Sequence, residues 1–526
     1  MLMYRRAALA GILLIAGFML TVAQITVHMK NGGYAETAIR QSQTIVTAGN
    51  AEGTIYDRHF RPMVNQTDAF YACVIPSQAA FDALWAHTEE ITPLLEGMQT
   101  GRPFCVQIDT DSVDCPDVTV LSVPVHRTGQ LPAQHVLGYT ADGAGVTGLE
   151  ADFDRILRGQ ADPASVTYTV DARGHVLLGE TPAVHPCSGS AAGVVTTLDT
   201  RIQEICEAQP IEKGAIVVMD VKSGDVLAMA SFPAYDPDHL AQALDDPDSP
   251  LINRCLYAYS VGSIFKLVTC AAAYEQGKTH FRTVCTGKTE VSGQVFRCHD
   301  WRGHGELDMK HAMIYSCNAY FVDMSPFLDA GLMRETAQRL GYGTQIALSG
   351  SIVSSGGSLP SVQDLQLPAE MANFCFGQGL LTATPLQVTQ MTCGIANDGD
   401  MPIARLIRGY TEDGQTVENE KSPMYAKALR RNEAYFLQDL MIAAINENEN
   451  SKAVPETVFA AAKTSTAQTG RYNKEEIELC HGWITGYFPM EDPTYAVTVL
   501  AEDGGYGNDA AAPVFRAIAD AVTALE

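Results

Sequence analysis

The sequence predicts an α+β protein of two folded units carried behind a single N-terminal membrane helix. Three observations predict it. At 526 residues the chain exceeds what one hydrophobic core supports, so two or three domains are expected, one of them large. Short β-type runs mix with helical stretches from residue 28 onward, and after a helical middle a second group of strands leads into a C-terminal helix. That order suits a central, largely antiparallel sheet covered by helices. Finally, Arg5 and Arg6 precede an apolar stretch over 7–23, which 24–27 extends.

The apolar span matches the roughly 17 to 25 residues needed to cross a bilayer. Residues 7–27 are therefore expected to be a transmembrane anchor and 1–6 a cytoplasmic tail, because positive charge holds the short N-terminal side in the cytoplasm. The bulk of the chain is then extracytoplasmic. A cleaved signal peptide is the rival reading, since Thr21-Val22-Ala23 resembles a small-residue cleavage site.

Residues 28–190 read as one unit, with a strand over 118–125, a helix over 149–157 and no catalytic constellation. A break is expected over 182–192, rich in Pro, Ser, Gly and Ala. The second unit, 191–526, opens with Asp199 as N-cap of a helix through Ala208, a strand over 215–219, a turn at Lys222-Ser223-Gly224-Asp225 and a returning strand over 226–230. Further strands are expected over 458–462, 483–487 and 495–500, and a last helix over 511–525.

A formal charge of -26 argues against nucleic acid and anionic lipid as partners, since phosphate binding draws on clustered Lys and Arg. The 13 cysteines carry no repeated CxxC pair, and their odd number leaves at least one unpaired within the chain.

Ser263-Ile264-Phe265-Lys266 follows Gly262 and runs into an apolar stretch, so a helix is expected to begin at the serine. Spacing of i to i+3 puts Ser263 and Lys266 on one face. A hydroxyl needs an adjacent base to act as a nucleophile, and a helix N-terminus favours developing negative charge. Lysine serves as that base only when neutral. Lowering its pKa by about 3 units costs roughly 4 kcal/mol, which burial or a second cation must supply, and Lys463 is a candidate for that cation. Ser316-Cys317-Asn318 and Lys463-Thr464-Ser465-Thr466 follow in an order that fits one site.

This set of motifs, SxxK then SxN then a KT(G)T strand, resembles the penicillin-binding transpeptidases and the serine β-lactamases that share their fold. The segment 220–237, Asn253-Arg254, Phe376-Gly377-Gln378-Gly379 and Thr384-Pro385-Leu386-Gln387 resemble the class B penicillin-binding proteins. Gly53-Thr54-Ile55-Tyr56-Asp57-Arg58, His135-Val136-Leu137-Gly138-Tyr139 and Gly148-Leu149-Glu150 resemble that family's pedestal. The resemblance implies a pedestal over 28–190 and a transpeptidase domain over 191–526 that cross-links peptidoglycan.

It further implies that Ser263 attacks a D-alanyl-D-alanine stem peptide and forms an acyl-enzyme with Lys266 as base. Ser316 would relay a proton, Asn318 would hold the substrate amide, and Lys463 would set the local potential. Thr464, Ser465 and Thr466 would line the substrate, with the backbone N–H groups of Ser263 and Thr466 as oxyanion hole. β-Lactams would bind there, a glycosyltransferase would be the partner, and neither metal nor organic cofactor would be needed. The same acyl-enzyme also suits a carboxypeptidase, a β-lactamase or a penicillin sensor, and a weakly active scaffold is a further alternative.

Three residues depart from the family pattern. Ser465 stands where the strand usually has Gly, placing a side chain close to the substrate, and altered rate or β-lactam affinity is expected. Val261 replaces a common proline, and Glu52 an arginine before Gly53.

Other patterns receive structural readings. The GxGxxG match from Gly143 to Gly148 is expected to be a glycine-rich turn rather than a dinucleotide site. His299 and His304 have a zinc-compatible spacing but no CxxC accompanies them, so a Cys285–Cys298 disulfide is expected instead, with free thiols as the other choice. Asn65-Gln66-Thr67 is read as a loop, not a glycosylation site, and Cys317 as a small buried side chain.

Overall fold

The structure, a computed structural model, describes residues 2–30, 42–49, 53–64, 67–125, 129–141, 143–159, 162–177, 179–187 and 191–525. Glu52, Asn65 and Gln66 lie outside the described residues.

By internal packing the chain divides into two units. The first comprises 1–52, 67–125 and 160–190; the second comprises 53–66, 126–159 and 191–526. The first begins with the helix Leu2–Lys30, about 43 Å long at 1.5 Å per residue. Its side chains are exposed almost throughout, and it is long and apolar enough to cross a membrane.

In the same unit the strand Thr67–Val74 lies between Phe104–Ile108 and Val118–Val125, antiparallel to both. Because side chains alternate across a strand, its two faces serve two cores. Ala72 and Val74 pack with Ala80, Leu84 and Leu94 of two short helices, while Cys73 packs with Val46, Val166 and Tyr168. The expected strand over 118–125 is present with those bounds.

The second unit is built on a five-stranded antiparallel sheet, in the order Val226–Phe232, Gly214–Asp220, Tyr495–Ala501, Glu478–Phe488, Ala461–Tyr472. Gly214–Asp220 is apolar at successive positions because both of its faces are covered. Ala215, Val217 and Met219 belong to the core shared with the helix Pro385–Ala396, whereas Ile216 and Val218 face the core formed with Ala512–Thr523 and Thr200–Glu207. Pro385–Ala396 is buried at every position, so its N-terminus must be satisfied internally. A capping box does this: Thr384 Oγ1 accepts from Gln387 N–H and Gln387 Oε1 accepts from Thr384 N–H.

Most expected elements fall within two residues of those observed. Asp199 caps Thr200–Glu207, accepting from Arg201 N–H. The strand expected over 458–462 instead starts at Ala461 and continues through the KTST motif to Tyr472. Before it, Asp520 Oδ1 accepts from the N–H groups of Glu456 and Thr457 and from the Thr457 hydroxyl, which holds that stretch out of the sheet. The GxGxxG segment forms a two-stranded turn leading into the helix Gly148–Gly159. A Cβ on Gly145 would lie 2.1 Å from Glu150 O and one on Gly148 2.5 Å from Val136 O, so close backbone approach accounts for these glycines.

The Gly53–Arg58 motif is part of the second unit. Thr54–Tyr56 pairs in parallel with Gly193–Thr196, and fully buried Asp57 accepts from His59 N–H, Arg61 N–H and the Thr200 hydroxyl. Arg254, 2% exposed, donates Nε to Glu502 Oε2 at 2.7 Å and also donates to the carbonyls of Ser249 and Asp248. Tyr259 donates to the same carboxylate at 3.0 Å. This network ties the chain just before Ser263 to the end of the central strand Tyr495–Ala501.

Removing one partner of a buried ion pair leaves the other charge uncompensated. Arg254→Ala is therefore expected to destabilise the second unit by about 3 to 5 kcal/mol, read from urea unfolding followed by the fluorescence of buried Trp483.

Candidate active site

The turn that carries Ser263 is set by two glycines. Gly262 has φ +63°, and its N–H donates to Gly377 O at 2.9 Å. Gly377 itself has φ +85°, and a Cβ there would lie 1.9 Å from Gly262 O. The Phe376–Gly379 motif thus buttresses the serine turn, a role its sequence signals only through the paired glycines. The expected helix start is tighter than a simple α-helix: Gly262–Phe265 is one 3₁₀ turn and the α-helix runs over Lys266–Glu275. Such tightening is common at helix N-termini. Phe265 packs on the rings of Tyr342 and Phe374, and the Thr269 hydroxyl donates to Cys375 O at 2.8 Å, which fixes the helix that holds Lys266.

The SxN turn lies between the helices Met309–Ile314 and Asn318–Met324. Ser316 is held at φ +50°, a region rare for non-glycine residues and enriched at functional sites. Its carbonyl and hydroxyl both meet Lys266, whose Nζ donates to Ser316 O at 2.8 Å, to Asn318 Oδ1 at 2.7 Å and more weakly to Ser316 Oγ at 3.4 Å. Lys463 Nζ donates to Ser316 Oγ at 3.0 Å and to Thr464 O at 2.8 Å. One serine hydroxyl is therefore shared by two lysines, both buried.

Burial drives both lysines toward the neutral form. Desolvation lowers Lys266 to about 8, opposed by the nearby thiols of Cys317, Cys298 and Cys270. Lys463 is lowered to about 7 by desolvation and then by the charge of Lys266. Neither lysine forms an ion pair with a carboxylate among the described residues.

Ser263 is partly exposed, and among the described residues its hydroxyl makes no hydrogen bond. Lys266 makes no hydrogen bond to Ser263 among the described residues; its Nζ is held by the SxN turn, whose three oxygens converge on it.

Along the KTST strand, Lys463 and Ser465 are buried on one face while Thr464 and Thr466 are partly exposed on the other. Thr464 makes no side-chain hydrogen bond among the described residues, and Thr466 Oγ1 accepts from Gly507 N–H at 3.2 Å. Ser465 differs from its expected position facing the substrate. It is 3% exposed and donates to Val261 O at 2.7 Å, next to the serine turn. The alternation of the strand decides this, since a residue two places from buried Lys463 faces inward with it.

The expected Cys285–Cys298 disulfide is absent; both residues are free thiols. Instead Cys285, Cys298, His304 and Cys317 converge, with one donor atom from each lying within 4.8 Å of all the others. Cys317 thus belongs both to the SxN motif and to this group, and its place in the motif gives no local sign of the second.

Residues 214–520, more than half of the chain, match the family described as penicillin binding protein transpeptidase domain. The chain belongs to that family, and its relatives put it with the class B penicillin-binding proteins. It is 28% identical over 415 residues to peptidoglycan D,D-transpeptidase PbpA of Mycolicibacterium smegmatis, covering 73% of this chain and 80% of the relative. Among solved structures it is similar to the ceftriaxone acyl-enzyme of penicillin-binding protein A from M. tuberculosis (21% identity, TM-score 0.65, 90% and 98% of the two chains). It is also similar to a chain of a peptidoglycan synthase complex that coordinates polymerization and crosslinking (24% identity, TM-score 0.69, 99% of each). These two likenesses establish the fold.

Since the Ser465 hydroxyl is bonded to Val261 O, Ser465→Gly is expected to lower stability by about 1 kcal/mol in thermal melts while leaving β-lactam affinity close to that of the parent. A large affinity change with unaltered stability would count against this placement.

Proposed function

We propose that this chain is a membrane-anchored peptidoglycan D,D-transpeptidase acting outside the cytoplasm. The observation that carries the proposal is the Ser316 hydroxyl shared by two buried lysines of lowered pKa, of which Lys266 lies one turn from Ser263, a partly exposed serine with no hydrogen bond to its hydroxyl among the described residues.

Neutral Lys266 takes the proton of Ser263 as its Oγ attacks the carbonyl of the penultimate D-alanine. The charge that develops on the carbonyl oxygen is met by the backbone N–H groups of Ser263 and Thr466, in a site where donors are fixed before reaction. The C–N bond then breaks. A proton passes from Lys266 through the Ser316 hydroxyl to the leaving amine, and D-alanine departs, leaving an ester on Ser263. An amine of a neighbouring stem peptide attacks this ester, forms the cross-link and returns a proton to Ser263.

Lys463 supports this cycle by keeping the lysine pair short of protons, while the terminal carboxylate of the substrate binds beside it through hydroxyl donors. The Thr464 and Thr466 hydroxyls receive that carboxylate, Asn318 holds the peptide amide, and Ser465 steadies the Val261–Gly262 backbone beneath. A β-lactam presents the same carbonyl and carboxylate and acylates Ser263. The likeness to a synthase chain that works beside a polymerase supports a glycosyltransferase partner, and the helix Leu2–Lys30 supports a single-pass anchor.

Fluorescent penicillin is expected to label the full chain covalently and to leave Ser263→Ala unlabelled. Failure of the parent chain to label would remove the mechanism. Paired stem peptides, with the partner polymerase present, are expected to yield cross-linked dimer; release of D-alanine without dimer would make the enzyme a carboxypeptidase instead.

The pH dependence follows from the lysines. Below about 7 both are protonated and Lys266 has no lone pair to accept the serine proton; the pair loses its protons between about 7 and about 8. The rate of acylation is therefore expected to climb with pH across that interval and to level off above it, as measured by stopped-flow with a chromogenic cephalosporin. A flat profile would exclude Lys266 as base.

A further inference from the structure

We propose that Cys285, Cys298, His304 and Cys317 bind one zinc ion in a tetrahedral Cys₃His site that holds the SxN turn in place.

The distances fit a metal better than a disulfide. Around zinc, with Zn–S near 2.3 Å and Zn–N near 2.0 to 2.1 Å, tetrahedral geometry separates two sulfurs by about 3.8 Å and a sulfur from a nitrogen by about 3.5 Å. Cys298 Sγ lies 3.8 Å from Cys317 Sγ and 3.6 Å from His304 Nδ1. A disulfide requires about 2.05 Å between sulfurs. With all four donors inside 4.8 Å of one another, an ion at their centre needs only small adjustments.

The backbone around the donors is built for this approach. Cys298 N–H donates to Gly287 O, bringing the chain after Cys285 against the start of the second loop. Gly287 and Gly303 both have positive φ, and their Cβ atoms would lie 2.1 Å from Trp301 O and 2.2 Å from Cys285 O. His304 stacks on Tyr315 with planes 8° apart, which fixes the direction of its ring. The three cysteines are buried, so the ligands are already withdrawn from bulk water. Thiolate and imidazole together suit zinc rather than magnesium or calcium, which prefer oxygen.

The fourth ligand gives the site its consequence. Cys317 lies between Ser316 and Asn318, the two residues that receive Lys266 Nζ. Anchored to a metal, its sulfur fixes the turn in which Ser316 adopts φ +50°. Cys285, Cys298 and His304 are then positioning residues, acting on the site through Cys317.

The full chain, purified in detergent without chelator, is expected to carry about one zinc per chain by plasma mass spectrometry. Cobalt in its place is expected to show thiolate charge-transfer bands and the intense visible bands of tetrahedral coordination. Cys285→Ser and His304→Gln are expected to weaken zinc binding by about tenfold or more. Stripping zinc from the parent chain is expected to slow penicillin acylation by about tenfold or more, with recovery on adding zinc but not magnesium.

A parent chain that takes up neither zinc nor cobalt, or in which peptide mapping finds a Cys298–Cys317 disulfide, would overturn the site. Zinc binding with acylation unchanged on stripping would overturn the positioning role. Metal content and the cobalt spectrum are to be read on Ser263→Ala as well, so they stand or fall separately from the acyl-enzyme mechanism.

Discussion

The second unit depends on two lysine side chains being held together inside the protein by one serine hydroxyl. No carboxylate neutralises either of them among the described residues, so the pair resists being doubly charged, and the surrounding fold supplies the free energy that keeps it buried. That requirement explains the architecture nearby. Lys266 starts a helix in which Leu267 to Ala273 are all buried and all but Thr269 apolar, and Lys463 sits in a strand paired with Glu478–Phe488. Ser316 meets both because its backbone is turned into the left-handed region between two helices. Its carbonyl, hydroxyl and the neighbouring amide oxygen replace the water that the lysines have lost.

Much of the fold was legible in the sequence because its strands and helices carry strong local signals. A continuous apolar run such as Gly214–Asp220 is what a strand buried on both faces must look like, and Asp199 marks a helix start by its side-chain chemistry. Misplacement of the strand at Ala461 has a long-range cause. Asp520, far along the chain, captures the N–H groups of Glu456 and Thr457 just ahead of the expected strand, and no local pattern announces such a contact.

The candidate site was legible as a set of motifs but not as a geometry. Spacing brought Ser263 and Lys266 together, whereas the folded chain gives Lys266 three oxygens of the SxN turn in preference to the serine. Ser465 read as an intrusion on the substrate because its motif partner is usually glycine; strand alternation instead turns it toward Val261. The thiol and imidazole cluster was hidden for a different reason. Its fourth member belongs to a catalytic motif, and a residue already explained by one pattern is not sought in another.

The paired glycines beneath Ser263 bear on how such an enzyme can drift over time. At Gly377 even one methyl group would have to occupy space 1.9 Å from the Gly262 carbonyl oxygen, and Gly262 itself faces the Ser465 hydroxyl at 2.5 Å from any Cβ. Variation at these two glycines is thereby closed by sterics alone, whatever the selective pressure. Change is channelled to side chains such as Thr464, which is partly exposed and makes no side-chain hydrogen bond among the described residues, rather than to the backbone that seats Ser263.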